Sequence, residues 1–240
     1  MNAELAATTG SKPAPNRPLQ SGKSRFITLE GGEGAGKSTL AVGLKQRLAE
    51  RGIGCLVTRE PGGSPKAEVI RETLLGGEIA PFGPFAEALM FYAARIDHVD
   101  RTIKPALTRG EWVICDRFAD STRAYQGALG RLDPAVLAAL ERVALAGFTA
   151  DLTLILDVPV DVGLARAAAR RGTNVSDRFE REGRGFHTRL RRAYLDIAER
   201  EPARCVVVDA SLPPPAVLDL AWSAVEARLL RQADAVGTLS

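Results

Sequence analysis

The sequence predicts an α/β fold in which a five-stranded parallel sheet carries helices on both faces. The first observation is a set of short apolar runs with the length of buried strands, at residues 26–29, 53–58, 112–116, 152–157 and 204–209. The second is that helical patterns separate most of these runs, which favours a parallel sheet covered on both sides. The third is a glycine-rich loop between the first strand and a helix. Ligands of such sheets bind at the carboxyl ends of the strands.

The glycine-rich loop is the strongest motif in the chain. It fits G-x-x-x-x-G-K-[ST] at every fixed position and consists of Gly31, Gly32, Glu33, Gly34, Ala35, Gly36, Lys37 and Ser38. Glycines let a backbone bend around an anion, and the following helix presents free N–H groups and a positive dipole end. Lys37 supplies a charge for the outer phosphates, and Ser38 supplies a hydroxyl for Mg²⁺. The motif therefore predicts a site for a nucleoside triphosphate. The alternative is a glycine-rich turn that contains a lysine by chance.

The helices have signals of their own. The first follows the loop, with leucines at every fourth position over residues 40–48, and is expected to end near Gly52. Asp133 and Pro134 predict another helix start, because a carboxylate caps the helix and proline suits its first position. Residues 214–231 predict a closing helix.

Length, charge and cysteine content limit the classes of protein to which the chain can belong. The 240 residues suffice for one domain, expected over residues 25–240, and the polar, proline-containing residues 1–24 are expected to form a disordered tail. A net charge of +3 does not by itself indicate nucleic acid or a membrane. No run approaches the roughly 18 apolar residues of a membrane span. The odd number of cysteines, without a C-x-x-C pair, favours buried thiols in a reducing, cytoplasmic compartment.

Charged side chains follow the second and third predicted strands. Arg59 precedes a Pro-Gly-Gly turn, and Arg117 follows Asp116 directly. Either arginine can hold a phosphate in fork geometry, and the carboxylate of Asp116 can order Mg²⁺. These residues leave two alternatives open. Arg59 could be a plain loop arginine, and Asp116 and Arg117 could form a salt-bridged turn.

With these residues in view, the chain resembles the thymidylate kinase family over residues 25–231. The motifs that carry the resemblance are FITLEGGEGAGKST, TREPGG, LMFYAARIDHV, DRFADSTRAYQG, DLTLILDVP and ARRGTNVSDRFE. TREPGG and DRF-x-x-ST-x-AYQG are the most specific of them. The resemblance implies a three-layer P-loop nucleoside monophosphate kinase fold with a mobile lid. It also implies that ATP phosphorylates dTMP to dTDP with Mg²⁺, in a homodimer, for dTTP synthesis.

The resemblance also implies roles on the acceptor side. Arg59 and Arg117 would hold the dTMP phosphate, and Glu33 would lie near the sugar 3′-hydroxyl. Phe91 would stack on thymine, with Arg95 at the base edge one helical turn later. The remaining dTMP contacts would be Thr122 and Gln126, at the base or the sugar, and Tyr125, where a ribose 2′-hydroxyl would lie.

On the donor side, the resemblance assigns ATP to the glycine-rich loop, to Thr39 and to arginines of a lid at about residues 166–185. Read alone, this arginine-rich segment is a solvated face or an RNA-binding strip. Its glycines and its place after the fourth strand favour a lid. Because Gly34 stands where some members have a basic residue, the lid is expected to supply the catalytic arginine. The candidates are Arg171, which is the best match, with Arg170 and Arg178 in reserve.

These inferences define the expected site and its partners. The catalytic residues would be Lys37, Arg171, Arg117 and Glu33, with Ser38 and Asp116 for Mg²⁺ and with dTMP and ATP, rather than nucleic acid or membrane, as partners. A kinase for another nucleoside monophosphate is the nearest alternative. A GTPase would need N-K-x-D, and none of the asparagines is followed by lysine. Both histidines, His98 and His187, are expected on helix surfaces.

Overall fold

The computed structural model describes residues 24–171, 178–179 and 181–231. The predicted N-terminal tail, apart from Ser24, lies outside these residues, and so does the middle of the predicted lid. For Arg171, which ends a helix, the structure describes the backbone alone.

Five parallel strands form one sheet, as the sequence predicts. They are β1 Phe26–Glu30, β2 Cys55–Arg59, β3 Trp112–Asp116, β4 Leu152–Asp157 and β5 Cys205–Asp209. Their order across the sheet is β2–β3–β1–β4–β5. Leu29 of β1 is in register with Asp116 of β3 and with Leu154 of β4. The segments that follow these three strands therefore meet at one edge of the sheet.

Helices connect the strands, and the predicted helix signals are confirmed. The helices are α1 Lys37–Glu50, α2 Pro65–Gly76, α3 Gly83–His98, α4 Lys104–Thr108, α5 Ala119–Thr122, α6 Pro134–Leu145, α7 Val160–Arg171, α8 Arg184–Arg200 and α9 Pro214–Val225. Shorter segments are the 3₁₀ turn Ala80–Phe82 and the π-helical Val99–Ile103, Arg123–Leu129 and Glu226–Leu230. The Asp133 carboxylate caps α6 by accepting from the N–H of Ala135 at 2.7 Å.

The sheet is buried on both faces, which explains why its strands are apolar rather than alternating. Ile27 and Leu29 of β1 pack in a core with α1 and α9, whereas Phe26 packs in a second core with α3 and α6. Ile155 of β4 packs with α8 in a third core. The three layers and the helices on both faces are therefore confirmed.

The three cysteines are free thiols. Cys115 is buried, and burial raises the pKa of Cys55 and of Cys205 to about 12. They therefore act as small protonated side chains, as expected. Among the described residues, no helix has both the length and the apolar composition needed to cross a membrane.

Candidate active site

A cleft of about 390 Å³ opens where β1, β2 and β3 end. It is lined by most of the residues predicted from the sequence: Glu33, Gly34, Ala35, Gly36, Lys37, Ser38, Thr39, Arg59, Phe91, Arg95, Asp116, Arg117, Thr122, Tyr125, Gln126 and Arg170. Gly31 and Gly32 lie at the base of the same loop and line a smaller cavity. The residues predicted for the donor and for the acceptor therefore share one space.

The loop after β1 can follow its path only because it is rich in glycine. Gly31, Gly34 and Gly36 have φ values of 135°, 67° and 89°. A Cβ on Gly34 would lie 1.9 Å from the carbonyl oxygen of Gly163, and one on Gly31 would lie 2.5 Å from that of Leu156. The loop ends directly at α1, so that the amino-terminal turn of this helix lines the cleft. Its free N–H groups make this a site for an anion.

Lys37 is buried within the loop. Its ammonium group donates to the carbonyl oxygens of Gly31 at 3.1 Å and Gly32 at 3.0 Å. Burial lowers the pKa of Lys37, and the Arg117 guanidinium acts in the same direction. An anion in the cleft would oppose both effects, because it stabilises the charged ammonium.

Ser38 and Asp116 place two oxygen atoms together in the wall of the cleft. The Ser38 hydroxyl donates to Asp116 Oδ2 at 2.9 Å. Ser38 lies in the first turn of α1, and Asp116 ends the neighbouring strand β3. Hydroxyl and carboxylate oxygens are the ligands that Mg²⁺ prefers, with water and phosphate oxygens in its other positions. The two side chains therefore fit the predicted metal.

Arg117 joins the loop to the segment after β3. Its Nη2 donates to Glu33 Oε1 at 2.7 Å, and its Nη1 donates to the Gly31 carbonyl oxygen at 3.2 Å. Its φ of 73° lies in the left-handed region, which is uncommon for a residue other than glycine. Burial alone would raise the pKa of Glu33, but Arg117 and Lys37 lower it below its ordinary value. Glu33 is therefore an ionised carboxylate at the cleft wall.

Arg95 is held in one orientation at the inner end of the cleft. Its Nε donates to Glu60 Oε2 at 2.6 Å, and its Nη2 donates to the Phe118 carbonyl oxygen and to Thr122 Oγ1, both at 3.1 Å. Its Nη1 has no hydrogen-bond partner among the described residues, although it is buried. Such a donor favours a ligand that brings an acceptor. Phe91, one turn earlier on α3, lines the same pocket.

Two arginines lie at the outer side of the cleft. Arg59, at the end of β2, donates from Nη2 to both carboxylate oxygens of Glu68, at 3.1 and 3.0 Å. Arg71 of α2 also lines the cleft and donates to the Pro61 carbonyl oxygen at 2.6 Å. Sequence reasoning missed Arg71. Its signal is helical spacing, since Glu68 and Arg71 stand three residues apart on one face of α2.

Tyr125 and Gln126 enter from the π-helical segment after α5. Tyr125 donates to Glu33 Oε1 at 3.4 Å, and the ring of Phe179 packs edge-on against it with centroids 4.9 Å apart. Gln126 is buried and donates to Glu87 Oε2 at 3.0 Å. Phe179 and Glu87 are further residues that sequence reasoning missed: Phe179 lies in the motif ARRGTNVSDRFE, but only the arginines of that segment were considered, and Glu87 lies in none of the motifs.

The three lid arginines are placed differently. Arg170 lies in the last turn of α7 and lines the cleft. Arg171 is the next residue, and its side chain lies outside the described residues. Arg178 forms an ion pair with Glu87. The choice of Arg171 as the catalytic arginine therefore stays a prediction.

In a comparison with models of known protein families, the model described as "Thymidylate kinase" matches residues 29–220 of this chain. The chain belongs to the thymidylate kinase family. It is 56% identical to a protein named "Thymidylate kinase" from Bradyrhizobium diazoefficiens over 210 residues, 88% of this chain and 92% of that one. A protein of the same name from Rhodopseudomonas palustris is 56% identical over 222 residues, 92% of this chain and 95% of that one. The resemblance drawn from the motifs is thereby confirmed.

This member of the thymidylate kinase family has a buried hydrogen-bond network behind Arg117. The Tyr194 hydroxyl lies 3.1 Å from Arg117 Nη1 and 2.9 Å from Ser121 Oγ. Glu30 accepts from Ser121 Oγ and from the backbone N–H of Phe118, both at 2.7 Å. These contacts connect β1, α5 and α8, and they hold Arg117 in place.

The expectation that both histidines lie on helix surfaces is wrong for this thymidylate kinase family member. His98 is buried, with Nδ1 at 3.0 Å from Glu60 Oε1 and Nε2 at 2.7 Å from Thr58 Oγ1. His187 is also buried, and its Nε2 has no hydrogen-bond partner among the described residues. Other elements of the fold bury both histidines, and the local helical pattern of the sequence does not reveal this burial.

Glu30 is fully buried below this network. Burial raises its pKa from an ordinary value of 4.5 to about 7, and the charge of Asp120 acts in the same direction. The hydrogen bonds from Ser121 and Phe118 oppose this effect. Between these pH values the folded protein holds a proton that the unfolded chain has released. Folding is therefore favoured at the acidic end of this range and loses that contribution as the pH rises.

We expect the free energy of unfolding of the wild type to fall, relative to Glu30→Gln, by up to about 3 kcal/mol as the pH rises from about 4.5 to about 7. The amide variant has no proton to release, so its stability lacks this contribution. Urea unfolding of both proteins across this pH range measures the difference. Glu50→Gln, at the exposed end of α1, is the control and should follow the wild type. Parallel pH dependence of wild type and Glu30→Gln would contradict the assignment.

Proposed function

We propose that the chain transfers the γ-phosphoryl group of ATP to dTMP, giving dTDP and ADP for dTTP synthesis. The observation that carries the proposal is the shared cleft, where the loop around Lys37 faces a pocket around Phe91 and Arg95. Family membership supports the same activity, since two relatives that are 56% identical to this chain are named thymidylate kinase. A kinase of the same fold for another monophosphate is the alternative that the assay below separates.

ATP would lie along the loop and the first turn of α1. The loop N–H groups and the dipole of α1 would stabilise its phosphates, and Thr39 extends this wall of the cleft. Lys37 now donates to two loop carbonyl oxygens. It would turn to the outer phosphates, which offer it a stronger, charged acceptor.

Ser38 and Asp116 would hold Mg²⁺ through their oxygens, which lie 2.9 Å apart. When bound there, the metal stabilises negative charge on the phosphate oxygens. The chain's own groups align the substrates on either side of this position.

The dTMP phosphate would bind arginines that line the cleft. Arg59 and Arg117 can each offer two parallel N–H groups to a phosphate, and Arg71 adds a third guanidinium to the same wall. The ionised Glu33 would accept a hydrogen bond from the sugar 3′-hydroxyl and so orient the acceptor. No strong general base is needed, because phosphoryl transfer of this kind depends on positioning and charge stabilisation.

Thymine would lie against Phe91, with a carbonyl oxygen at Nη1 of Arg95. This arrangement gives the unpaired buried N–H of Arg95 its acceptor. Thr122 and Gln126 would complete the contacts to the base or the sugar. Tyr125 would occupy the space that a ribose 2′-hydroxyl requires.

A coupled assay of ATP consumption with Mg²⁺, over a panel of nucleoside monophosphates, tests the function. We expect dTMP to be used best, and dUMP to be less efficient by only about fourfold, since one buried methyl is worth about 0.8 kcal/mol. We expect dCMP to be essentially refused, with only a low residual kcat/KM, because its amino group would face the Arg95 donor. An enzyme without dTMP activity, or one that prefers another monophosphate, would overturn the proposal.

The lid would supply a positive charge to the transferred phosphoryl group from the side opposite Lys37. Arg170 lies at the cleft, and Arg171 follows it at the end of α7. An arginine inserted beside a transferring phosphoryl group stabilises the charge that builds on its peripheral oxygens.

Arg171→Ala should lower kcat by about 10³-fold or more, with the KM for dTMP changed only a few-fold, because this contact forms with the transferred group. Steady-state kinetics with varied dTMP measures both parameters. Arg189→Ala, at an exposed position of α8, is the matched control and should behave as the wild type. Near-normal turnover of Arg171→Ala, with a large loss in Arg170→Ala, would transfer the role to Arg170.

We place the reaction in the cytoplasm, which agrees with three free thiols, and we propose that the enzyme is a homodimer. Three apolar side chains on one stripe of α3, Phe85, Leu89 and Ile96, are 46%, 43% and 41% exposed. Val69 of the adjacent α2 is 66% exposed. A second copy would cover this stripe, because monomers rarely expose such a continuous apolar surface.

The mass in solution, measured by analytical ultracentrifugation, should be twice that of one chain. Leu89→Arg should shift it to that of one chain, because the interface would then bury an unpaired charge. Val42→Arg, at a 65% exposed position of α1 on the other face of the sheet, is the control and should remain dimeric. A wild type with the mass of one chain would exclude the proposed dimer.

A further inference from the structure

Glu87 of α3 lies where the acceptor pocket meets the segment that follows α7. Only 9% of its side chain is exposed. Its Oε2 accepts from Gln126 Nε2 at 3.0 Å, and its Oε1 forms an ion pair with Arg178. One carboxylate thus holds a residue of the base pocket with one oxygen and an arginine distant in sequence with the other.

The contact with Glu87 determines how the amide of Gln126 is oriented. An ionised carboxylate only accepts hydrogen bonds, so it must face the NH₂ group of the amide. The amide oxygen is then left as an acceptor, and among the described residues no hydrogen bond uses it. N3 of thymine carries a hydrogen, whereas N3 of cytosine is an acceptor. A fixed amide oxygen therefore suits thymine, and an NH₂ group in its place would suit cytosine.

Arg178 compensates the charge of the nearly buried Glu87 carboxylate, which would be unfavourable without a partner. Its guanidinium also lies over the ring of Phe179, 4.4 Å from the centroid. Phe179 packs in turn against Tyr125 of the acceptor pocket. Arg178 is therefore attached to the acceptor side of the cleft by charge and by packing.

We propose that Glu87 is a positioning residue for the acceptor base. It holds the Gln126 amide with its oxygen available to the base, and Arg178 compensates its charge. The proposal rests on the proposed function, since it requires a pyrimidine in this pocket. Glu87 itself contacts no reacting atom, and its effect on the reaction passes through Gln126.

The test compares Glu87→Gln with the wild type in steady-state assays with dTMP and dCMP at saturating ATP. A glutamine at this position can present either an oxygen or an NH₂ group, so the Gln126 amide loses its single orientation. We expect the ratio of kcat/KM for dTMP to that for dCMP to fall about tenfold, which corresponds to one hydrogen bond. The KM for ATP should not change. Loss of folded protein alone would lower both activities together and would leave the ratio unchanged.

Glu141→Gln is the matched control, because Glu141 is a partly buried partner of Arg123 that does not line the active-site cleft. Its ratio should equal that of the wild type. If Glu87→Gln does not fold, Glu87→Asp keeps the charge but withdraws the carboxylate by one methylene, and a fall in the ratio is again expected.

Gln126→Met removes the amide that Glu87 is proposed to orient. In this background Glu87→Gln should have no further effect on the ratio, because the two residues act as a unit. An unchanged ratio in a folded Glu87 variant, or additive effects in the double variant, would overturn the role of Glu87 while dTMP kinase activity stands. A wild type inactive on dTMP would overturn the proposed function, and this inference with it.

Discussion

The ion pair between Arg117 and Glu33 connects the two sides of the active site. Arg117 follows β3 and Glu33 lies in the loop after β1, and the two strands are neighbours. A guanidinium does not lose its proton in a protein, so Arg117, with 16% of its side chain exposed, requires anionic partners. Glu33 supplies one, and a substrate phosphate would supply another. The same contact keeps Glu33 ionised, so that Arg117 and the loop after β1 each depend on the other.

At the inner end of the cleft, a second guanidinium also requires an anionic partner, and this pair is buried more deeply. The side chains of Arg95 and Glu60 are 2% and 3% exposed, and removal of one partner from such a pair costs about 3–5 kcal/mol. His98 contacts the second oxygen of Glu60, so the carboxylate has little freedom to move. The pocket around Arg95, where we propose that the base binds, is therefore built from groups whose positions are fixed before a ligand enters. Preorganisation of this kind reduces the cost of binding, because few side chains have to be ordered by the substrate.

The sequence predicted those features that have a local physical cause. Strands buried on both faces give continuous apolar runs, and the loop needs glycines at fixed positions, so β1 and Lys37 were found from a few neighbouring residues. Arg95, Phe91 and Gln126 were predicted only through the family resemblance, because a helical arginine or aromatic residue has no chemical signature of its own. Glu30, Glu87 and His98 were missed or misplaced. Their partners lie 91, 39 and 38 residues away, and burial by such distant segments leaves no periodic pattern in the chain.

In the proposed complex with dTMP, selection among pyrimidines would follow from the fixed orientation of Arg95 more than from the shape of the pocket. A single methyl group is worth about 0.8 kcal/mol, or about fourfold in affinity. A buried hydrogen-bonding group left without its partner costs about 1–3 kcal/mol, which is about five- to 150-fold. This penalty discriminates only if the donor cannot turn away from the wrong base. Glu60, Thr122 and the Phe118 carbonyl hold the other N–H groups of Arg95, so its Nη1 must face whatever occupies the pocket. In the proposed complex, the hydrogen-bonding pattern of the base would therefore be a stronger criterion than its 5-methyl group.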